Sequence, residues 1–433
     1  MQVLDWNSMG KQARAQALAR PGTGAALETV REAVAAIIHS VRTGGDAALA
    51  AASRRFDGIA AEPLCASQDE LDAAWQALDE RERVAMDRAA TNIRRFHEAQ
   101  RAQDISVEVE PGLLCTRRMA PLDCIGIYVP GGTAPLFSSL LMAAIPAQVA
   151  GVRRILVASP PGTDGRIAPV VLAAAKLAGV REVFAMGGAQ AIAAFAFGTK
   201  SVPKADKIFG PGNQWVAEAK AQVAQMPGGP AIDLPAGPSE VMVLADGNAS
   251  AALVASDLLS QAEHDAQAQV ILLSTSKKCA SAVREAVLAQ VQTLPRHKIA
   301  NAALQNARLI VVENKNAMLN LVNRYGPEHL IIQMQNAEEL AAAVRHAGSI
   351  FIGASTPEAL GDYASGANHV LPTGGAARGT SGLGLESFMH GITVQRAGPA
   401  ALASIGPAVM QLARMEGLEA HARAVCMRLE QTP

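Results

Sequence analysis

Between residues 105 and 353 short apolar runs alternate with alanine-rich stretches, and few folds admit that rhythm. Runs near 122–129, 154–158, 182–186, 206–209, 240–245, 269–274, 308–312, 329–333 and 349–352 predict strands. Helices are expected between most of them, near 138–149, 167–178, 188–197, 212–225, 249–262, 277–293, 314–325 and 336–346. Strands joined by helices form parallel sheets covered on both faces, so the chain reads as α/β. Pro227-Gly-Gly-Pro230 and Pro235-Ala-Gly-Pro238 interrupt the series near its middle and suggest a crossing between two domains of similar size.

The flanks differ. Residues 1–24, with Trp6 and a Pro21-Gly22 break, read as an arm or small helical element. Helical patterning covers 27–42, 46–56 and 68–103, with charges alternating as on solvated faces. Ser67, followed by Asp69 and Glu70, predicts an N-cap. After Gly353 the regular pattern fails, and a Gly-, Ser- and Thr-rich loop to 388 of that length is usually functional or mobile. The tail, 399–430, returns to helix with a break at Glu416-Gly417, suited to packing on a neighbouring subunit.

At 433 residues the chain exceeds one hydrophobic core. A net charge of −1 offers nothing to a nucleic acid or an anionic membrane surface. Five scattered cysteines without CxxC spacing read as reduced thiols of a cytoplasmic protein, not a disulfide frame or thiolate metal site. The N-terminus carries no signal segment, and no window reaches the roughly 18 apolar residues of a membrane span.

Candidate chemistry centres on Arg324-Tyr-Gly-Pro-Glu-His-Leu-Ile-Ile-Gln333, where a carboxylate, Glu328, adjoins an imidazole, His329, at the mouth of an expected strand. Strand neighbours point to opposite faces, so both serve one pocket only if the backbone is still turning there. Gly326 and Pro327 supply such a turn. The same residues also read as a polar pair on a surface loop. In Ser260-Gln-Ala-Glu-His-Asp265, Gln261 and His264 share a helix face. With Asp362 and His369 from the glycine-rich loop and His421 from the tail, they form a nitrogen and oxygen donor set suited to Zn²⁺ or Mn²⁺. By spacing alone each histidine also reads as an ordinary satisfied residue, the commoner situation.

Three turns, Tyr128-Val-Pro-Gly-Gly-Thr133, Met186-Gly-Gly-Ala-Gln190 and Phe209-Gly-Pro-Gly-Asn213, set glycines between strand and helix. Amides there can hold phosphates. None is a full G-x-G-x-x-G, so ligand-free βα turns remain the alternative. Ser138-Ser139 opens the helix after the first turn, as an N-cap or a substrate contact.

Taken together, several segments resemble the histidinol dehydrogenase family. They are Ile125-Gly-Ile-Tyr-Val-Pro-Gly-Gly-Thr-Ala-Pro-Leu-Phe-Ser-Ser139, Gly187-Gly-Ala-Gln-Ala-Ile192 and Val202-Pro-Lys-Ala-Asp-Lys-Ile-Phe-Gly-Pro-Gly-Asn213. Asp233-Leu-Pro-Ala-Gly-Pro-Ser-Glu240, Leu259-Ser-Gln-Ala-Glu-His-Asp265, Gly326-Pro-Glu-His-Leu330 and Gly361-Asp-Tyr-Ala-Ser-Gly-Ala-Asn-His369 complete the set. The resemblance implies two similar incomplete Rossmann-like domains with parallel sheets, plus small helical N- and C-terminal elements. The expected layout is an arm at 1–24, a discontinuous first domain at 25–128 and 239–380, a second at 129–238, and a tail at 381–433.

It further implies a homodimer that converts histidinol, two NAD⁺ and water into histidine, the last step of histidine biosynthesis. By motif, Gln261, His264, Asp362 and, from the partner subunit, His421 would hold zinc. Ser239, Gln261, His264, His329, Asp362, His369, Glu416 and His421 would contact substrate. Tyr128, Gln190 and Asn213 would contact NAD. His329 would serve as the base and Glu328 would activate water. The nearest alternative is a dehydrogenase of another small polyol such as a sulfopropanediol; a zinc hydrolase is more remote.

Overall fold

The computed structural model describes residues 1–20, 26–131, 135–234 and 237–430. The expected Pro21-Gly22 break, Gly132-Thr133 of the first turn and Pro235-Ala236 of the crossing lie outside them. Along the chain, β1 (Val3–Asp5) precedes a helical region, followed by β2 (Ile105–Glu110) and β3 (Leu113–Pro121). Next come β4 (Cys124–Tyr128), β5 (Arg154–Ser159), β6 (Glu182–Ala185), β7 (Lys207–Phe209) and β8 (Ala231–Ile232). Then β9 (Glu240–Ala245), β10 (Gln269–Ser274), β11 (Arg308–Val311), β12 (His329–Gln333) and β13 (Ser349–Ile352) follow, with β14 (Met389–Ala397) near the end.

Two parallel sheets dominate, ordered β6-β5-β4-β7-β8 and β1-β11-β10-β9-β12-β13. Setting β1 aside, both follow one plan: strands run outward from a founding strand (β4 or β9), and the chain then crosses to its other side (β7 or β12). This is the doubly wound pattern with one reversal of direction. Each sheet is buried on both faces. In β9, Val241, Val243 and Ala245 enter one core and Met242 and Leu244 the opposite one, the two-residue period of a strand.

The layout departs from the expected boundaries. β4, placed in the first domain by a cut at 128, is the founding strand of the five-stranded sheet. Helices between 26 and 98 also pack on that sheet: Val34 and Ile38 share a core with Tyr128 and Leu156, and Leu71 and Ile93 share one with Ile125 and Ile127. Helices within 26–98 and strand β4 therefore belong with the five-stranded sheet by packing, because their apolar residues share its two cores. Residues 3–5 are also more than an arm, since β1 pairs with β11 as an edge strand.

The expected helices over 27–42 and 46–56 are both present within Ala26–Phe56, divided at Gly45, whose φ of 55° and ψ of −138° are not helical. The stretch 68–103 breaks into Gln68–Ala77 and Glu80–Glu98. Ser67 does cap the first, and Asp79 with Glu82 forms a second capping box that stops the pattern from running on. The tail is Pro399–Met415 and Glu419–Glu430, broken at Glu416-Gly417. An antiparallel sheet, β14-β3-β2, joins it to the body.

Candidate active site

A cleft lies between the two parallel sheets. One wall comes from residues just beyond the carboxyl ends of β4, β7 and β8: Ser139, Gly210 to Gly212, Asp233 and Leu234. The other comes from the amino ends of β9 and β12, with Ser239, Glu328 and His329. The six-stranded sheet thus presents its chemistry at the edge opposite to that used by doubly wound sheets in general.

Gly326 closes the helix Lys315–Tyr325 in the left-handed region, at φ 63°, and Pro327 directs the chain into β12. Glu328 is the last residue of this turn and His329 the first of the strand, so both reach the cleft. Both are also gripped by one residue of the neighbouring strand. The Glu240 N–H donates to Glu328 Oε2 at 2.8 Å, and His329 Nδ1 donates to the Glu240 carbonyl at 3.2 Å. A carbonyl only accepts, so Nδ1 carries the proton and Nε2 keeps its lone pair. That Nε2 is buried and has no hydrogen-bond partner among the described residues.

Around this pair sits a dense set of carboxyls. His329 Nδ1 is 3.5 Å from Glu358 and Nε2 is 3.9 Å from Asp362. Among the described residues, His329, Glu358 and Asp362 converge closely enough for one cation. Gln261 is buried, and its amide nitrogen, with two protons to give, donates to Glu358 Oε1 at 2.9 Å and to the Glu240 carbonyl at 3.3 Å, leaving none for His329 Nδ1 at 3.1 Å, which is itself a donor. Its oxygen is then not the atom facing those acceptors. His264 lines the same cleft.

Burial governs the charge states. It pushes Glu328 and Glu358 well above the usual carboxylate range, and Asp362 up to about 6. It holds His329 down to about 3 and His369 down to about 4, and it also lowers His264. Burial of this kind opposes ionised carboxylates, and a bound divalent cation would compensate them. The donor set fits zinc: imidazole and oxygen ligands, already desolvated, with no thiolate.

The other predicted site residues divide into two groups. His369 is in the cleft; its Nδ1 donates to the Asp362 carbonyl at 2.8 Å, and its Nε2 meets Ser139 Oγ at 3.1 Å. Ser239 is there as well. Glu416 and His421 are exposed on the C-terminal helices and do not line it. Tyr128, Gln190 and Asn213 are engaged elsewhere. The Tyr128 hydroxyl accepts from the Gly188 N–H at 3.2 Å, the Gln190 amide donates to Asp57 at 3.0 Å, and Asn213 caps the helix Gln214–Gln225.

Sequence reasoning missed Glu358, although Glu358 and Asp362 are four apart on a short helix and so share a face. It also missed the buried Lys220–Asp233 ion pair, which holds both polar groups of the Gly210 peptide.

Two Rossmann-like sheets enclosing a desolvated acid–imidazole cleft define a two-domain α/β enzyme. The family model described as histidinol dehydrogenase matches residues 22–429. Histidinol dehydrogenase of Xylella fastidiosa (strain Temecula1 / ATCC 700964) is 49% identical over 433 residues, covering 100% of both chains. That of Xanthomonas oryzae pv. oryzae (strain KACC10331 / KXO85) is 50% identical over 429 residues, 99% of each. The crystal structure of histidinol dehydrogenase from Elizabethkingia anophelis matches with a TM-score of 0.95 and 42% identity, covering 99% of this chain and 98% of that one. The chain belongs to the histidinol dehydrogenase family and is an oxidoreductase. Among the described residues no helix is long and apolar enough to cross a membrane.

Proposed function

We propose that this chain is a cytoplasmic, zinc- and NAD-dependent enzyme that oxidises L-histidinol to L-histidine through the aldehyde, closing histidine biosynthesis. The observation that carries the reading is the Glu328–His329 pair, held by the N–H and the carbonyl of Glu240, with the buried His329 Nε2 unprotonated and without a hydrogen-bond partner among the described residues.

Gln261, His264, Asp362 and the partner subunit's His421 would hold Zn²⁺, which supplies positioning and polarisation of the substrate, and bound NAD⁺ supplies the two-electron sink used twice. Substrate alcohol gives its hydroxyl proton to His329 Nε2 as its carbon gives up a hydride, leaving the aldehyde. Glu328, ionised, takes a proton from water as the water oxygen adds to the carbonyl, and the carbonyl oxygen takes back the proton held by His329, which gives the hydrate and frees Nε2 again. A carboxylate whose affinity for protons is raised by burial is the stronger base for this step. The hydrate gives a second proton to His329 as the second hydride departs, and the carboxylic acid results.

His421 and Glu416 complete the pocket only in a homodimer. Exposed apolar residues beside them, Leu412, Met415 and Leu418, support burial of this region against a second copy. The NAD contacts expected at Tyr128, Gln190 and Asn213 would require these side chains to share or exchange their present partners.

The test is stoichiometry. Two NADH per histidinol consumed, lost on chelation and regained with zinc, is the expected result; one NADH per histidinol overturns the four-electron reading. Histidinol assayed beside sulfonated and simple diols separates it from a polyol dehydrogenase.

A further inference from the structure

The two side chains proposed for proton transfer are steered by the peptide of Glu240, and something must fix that peptide in turn. The Glu240 side chain is 3% exposed, at the first position of β9. Arg20, 220 positions earlier, holds its carboxylate at both oxygens: Nε donates to Oε1 at 2.5 Å and Nη2 to Oε2 at 3.0 Å. The Gly374 N–H donates to Oε1 at 3.0 Å.

The same guanidinium grips the segment that presents Glu328. Arg20 Nη2 donates to the Tyr325 carbonyl at 3.0 Å, and the guanidinium lies 3.9 Å from the centroid of the Tyr325 ring. Tyr325 is three residues before Glu328. The Tyr325 hydroxyl donates to Gln269 Oε1 at 2.7 Å, and the Gln269 amide donates to the Ala19 carbonyl at 3.1 Å, which ties the arm back to the same node. Arg20 itself does not line the cleft.

We propose that Arg20 and Glu240 are positioning residues for the reaction: the N-terminal arm sets the register between β9 and the 326–329 turn, and so aims Glu328 and His329. A buried ion pair adds little stability beyond what apolar packing would supply. A bidentate guanidinium–carboxylate pair, however, fixes direction in a plane. Reacting groups lose rate steeply when displaced, so a loose Glu240 peptide acts on turnover rather than on substrate affinity. The proposal rests on the acid–imidazole reading above.

The test uses the full-length, zinc-loaded enzyme with histidinol and with the aldehyde as separate substrates. Arg20→Ala is expected to lower kcat in both steps by roughly 10- to 100-fold while KM for histidinol stays within about twofold. Millimolar guanidinium is expected to restore part of the lost kcat in Arg20→Ala and none in Glu240→Gln. Arg20→Lys, with the charge but not the fork, is expected to fall between Arg20→Ala and the parent. A folded Arg20→Ala with kcat within about twofold of the parent, or a loss confined to KM, overturns the proposal. Loss of folding in all three variants overturns it too, since the pair then holds the fold and not the site. His329→Asn run alongside separates the failures. If it retains kcat, the acid–imidazole reading falls; if it loses kcat while the Arg20 variants do not, only the positioning role falls.

Discussion

Ser139 Oγ lies 3.1 Å from His369 Nε2, and that bond joins the two halves of the cleft. Ser139 is in the helix Phe137–Ala150, after β4 of the five-stranded sheet. His369 is in the loop beyond the six-stranded one. Because His369 Nδ1 donates to the Asp362 carbonyl, Nε2 is the acceptor and the Ser139 hydroxyl the donor. Ser139→Ala strands a buried acceptor, at a cost of about 1 to 3 kcal/mol. The expected outcome is a lower Tm and a several-fold higher KM for histidinol, read by thermal melts and steady-state kinetics.

Glu328→Gln keeps an acceptor for the Glu240 N–H but loses the base. Aldehyde oxidation is expected to fall by roughly 100-fold or more, and alcohol oxidation far less. Equal losses in the two half-reactions would remove the water-activating role. His329→Asn is expected to slow both while metal content, measured by atomic emission, is unchanged.

A site shared between subunits makes inactive variants complementary. His421→Ala and Glu328→Gln homodimers, mixed under conditions that exchange subunits, should form hybrids with one intact site and regain up to about a quarter of parental activity, a figure set by random pairing under mass action. Verified exchange without recovery counts against completion of the cleft by a second copy.

Asp257 carries a pH-dependent stability term. Burial pushes its carboxyl from 3.8 up to about 6, against the hydrogen bond donated by Gln333. The folded chain binds this proton more tightly than the unfolded chain. Its contribution is therefore complete below about pH 4 and is lost as pH rises through about 6. Asp257→Asn should raise stability relative to the parent at pH 8, by of order 1 to 3 kcal/mol, and change it little at pH 4. Denaturant melts at the two pH values measure the difference.

Gly210 has φ +112°, and a Cβ there would overlap the Tyr128 carbonyl oxygen. Its N–H and carbonyl are fixed by Asp233 and Lys220, so the turn has no room to relax. Gly210→Ala is expected to cost at least about 2 kcal/mol, seen as a lower midpoint in denaturant.

The inner strands of the two parallel sheets were legible because burial on both faces leaves continuous apolar runs such as Val241 to Ala245, whereas the short edge strands β1 and β8 were not. β2 and β14 escaped notice for the converse reason. Their residues are largely exposed, and β14 finds its partner β3 more than 260 positions away. Glu328, His329, Gln261, His264, Asp362 and His369 could be picked out by residue type and motif, and the fold does bring them to one cleft. Glu358 shows only a four-residue spacing to Asp362, and Arg20 and Glu240 show no sequence signal linking them.

By itself the sequence determined the alternation of strands and helices between 122 and 352, the turn at Gly326-Pro327 and the donor types available for chemistry, because these follow from local periodicity and backbone preference. Only the tertiary structure decided that the amino ends of β9 and β12 face the carboxyl ends of β4, β7 and β8. It alone placed helices 26–98 on the five-stranded sheet and set Glu240 between Arg20 and the Glu328–His329 pair. Those contacts join residues far apart in the chain, and their geometry is fixed by which apolar faces pack together, which no local pattern encodes.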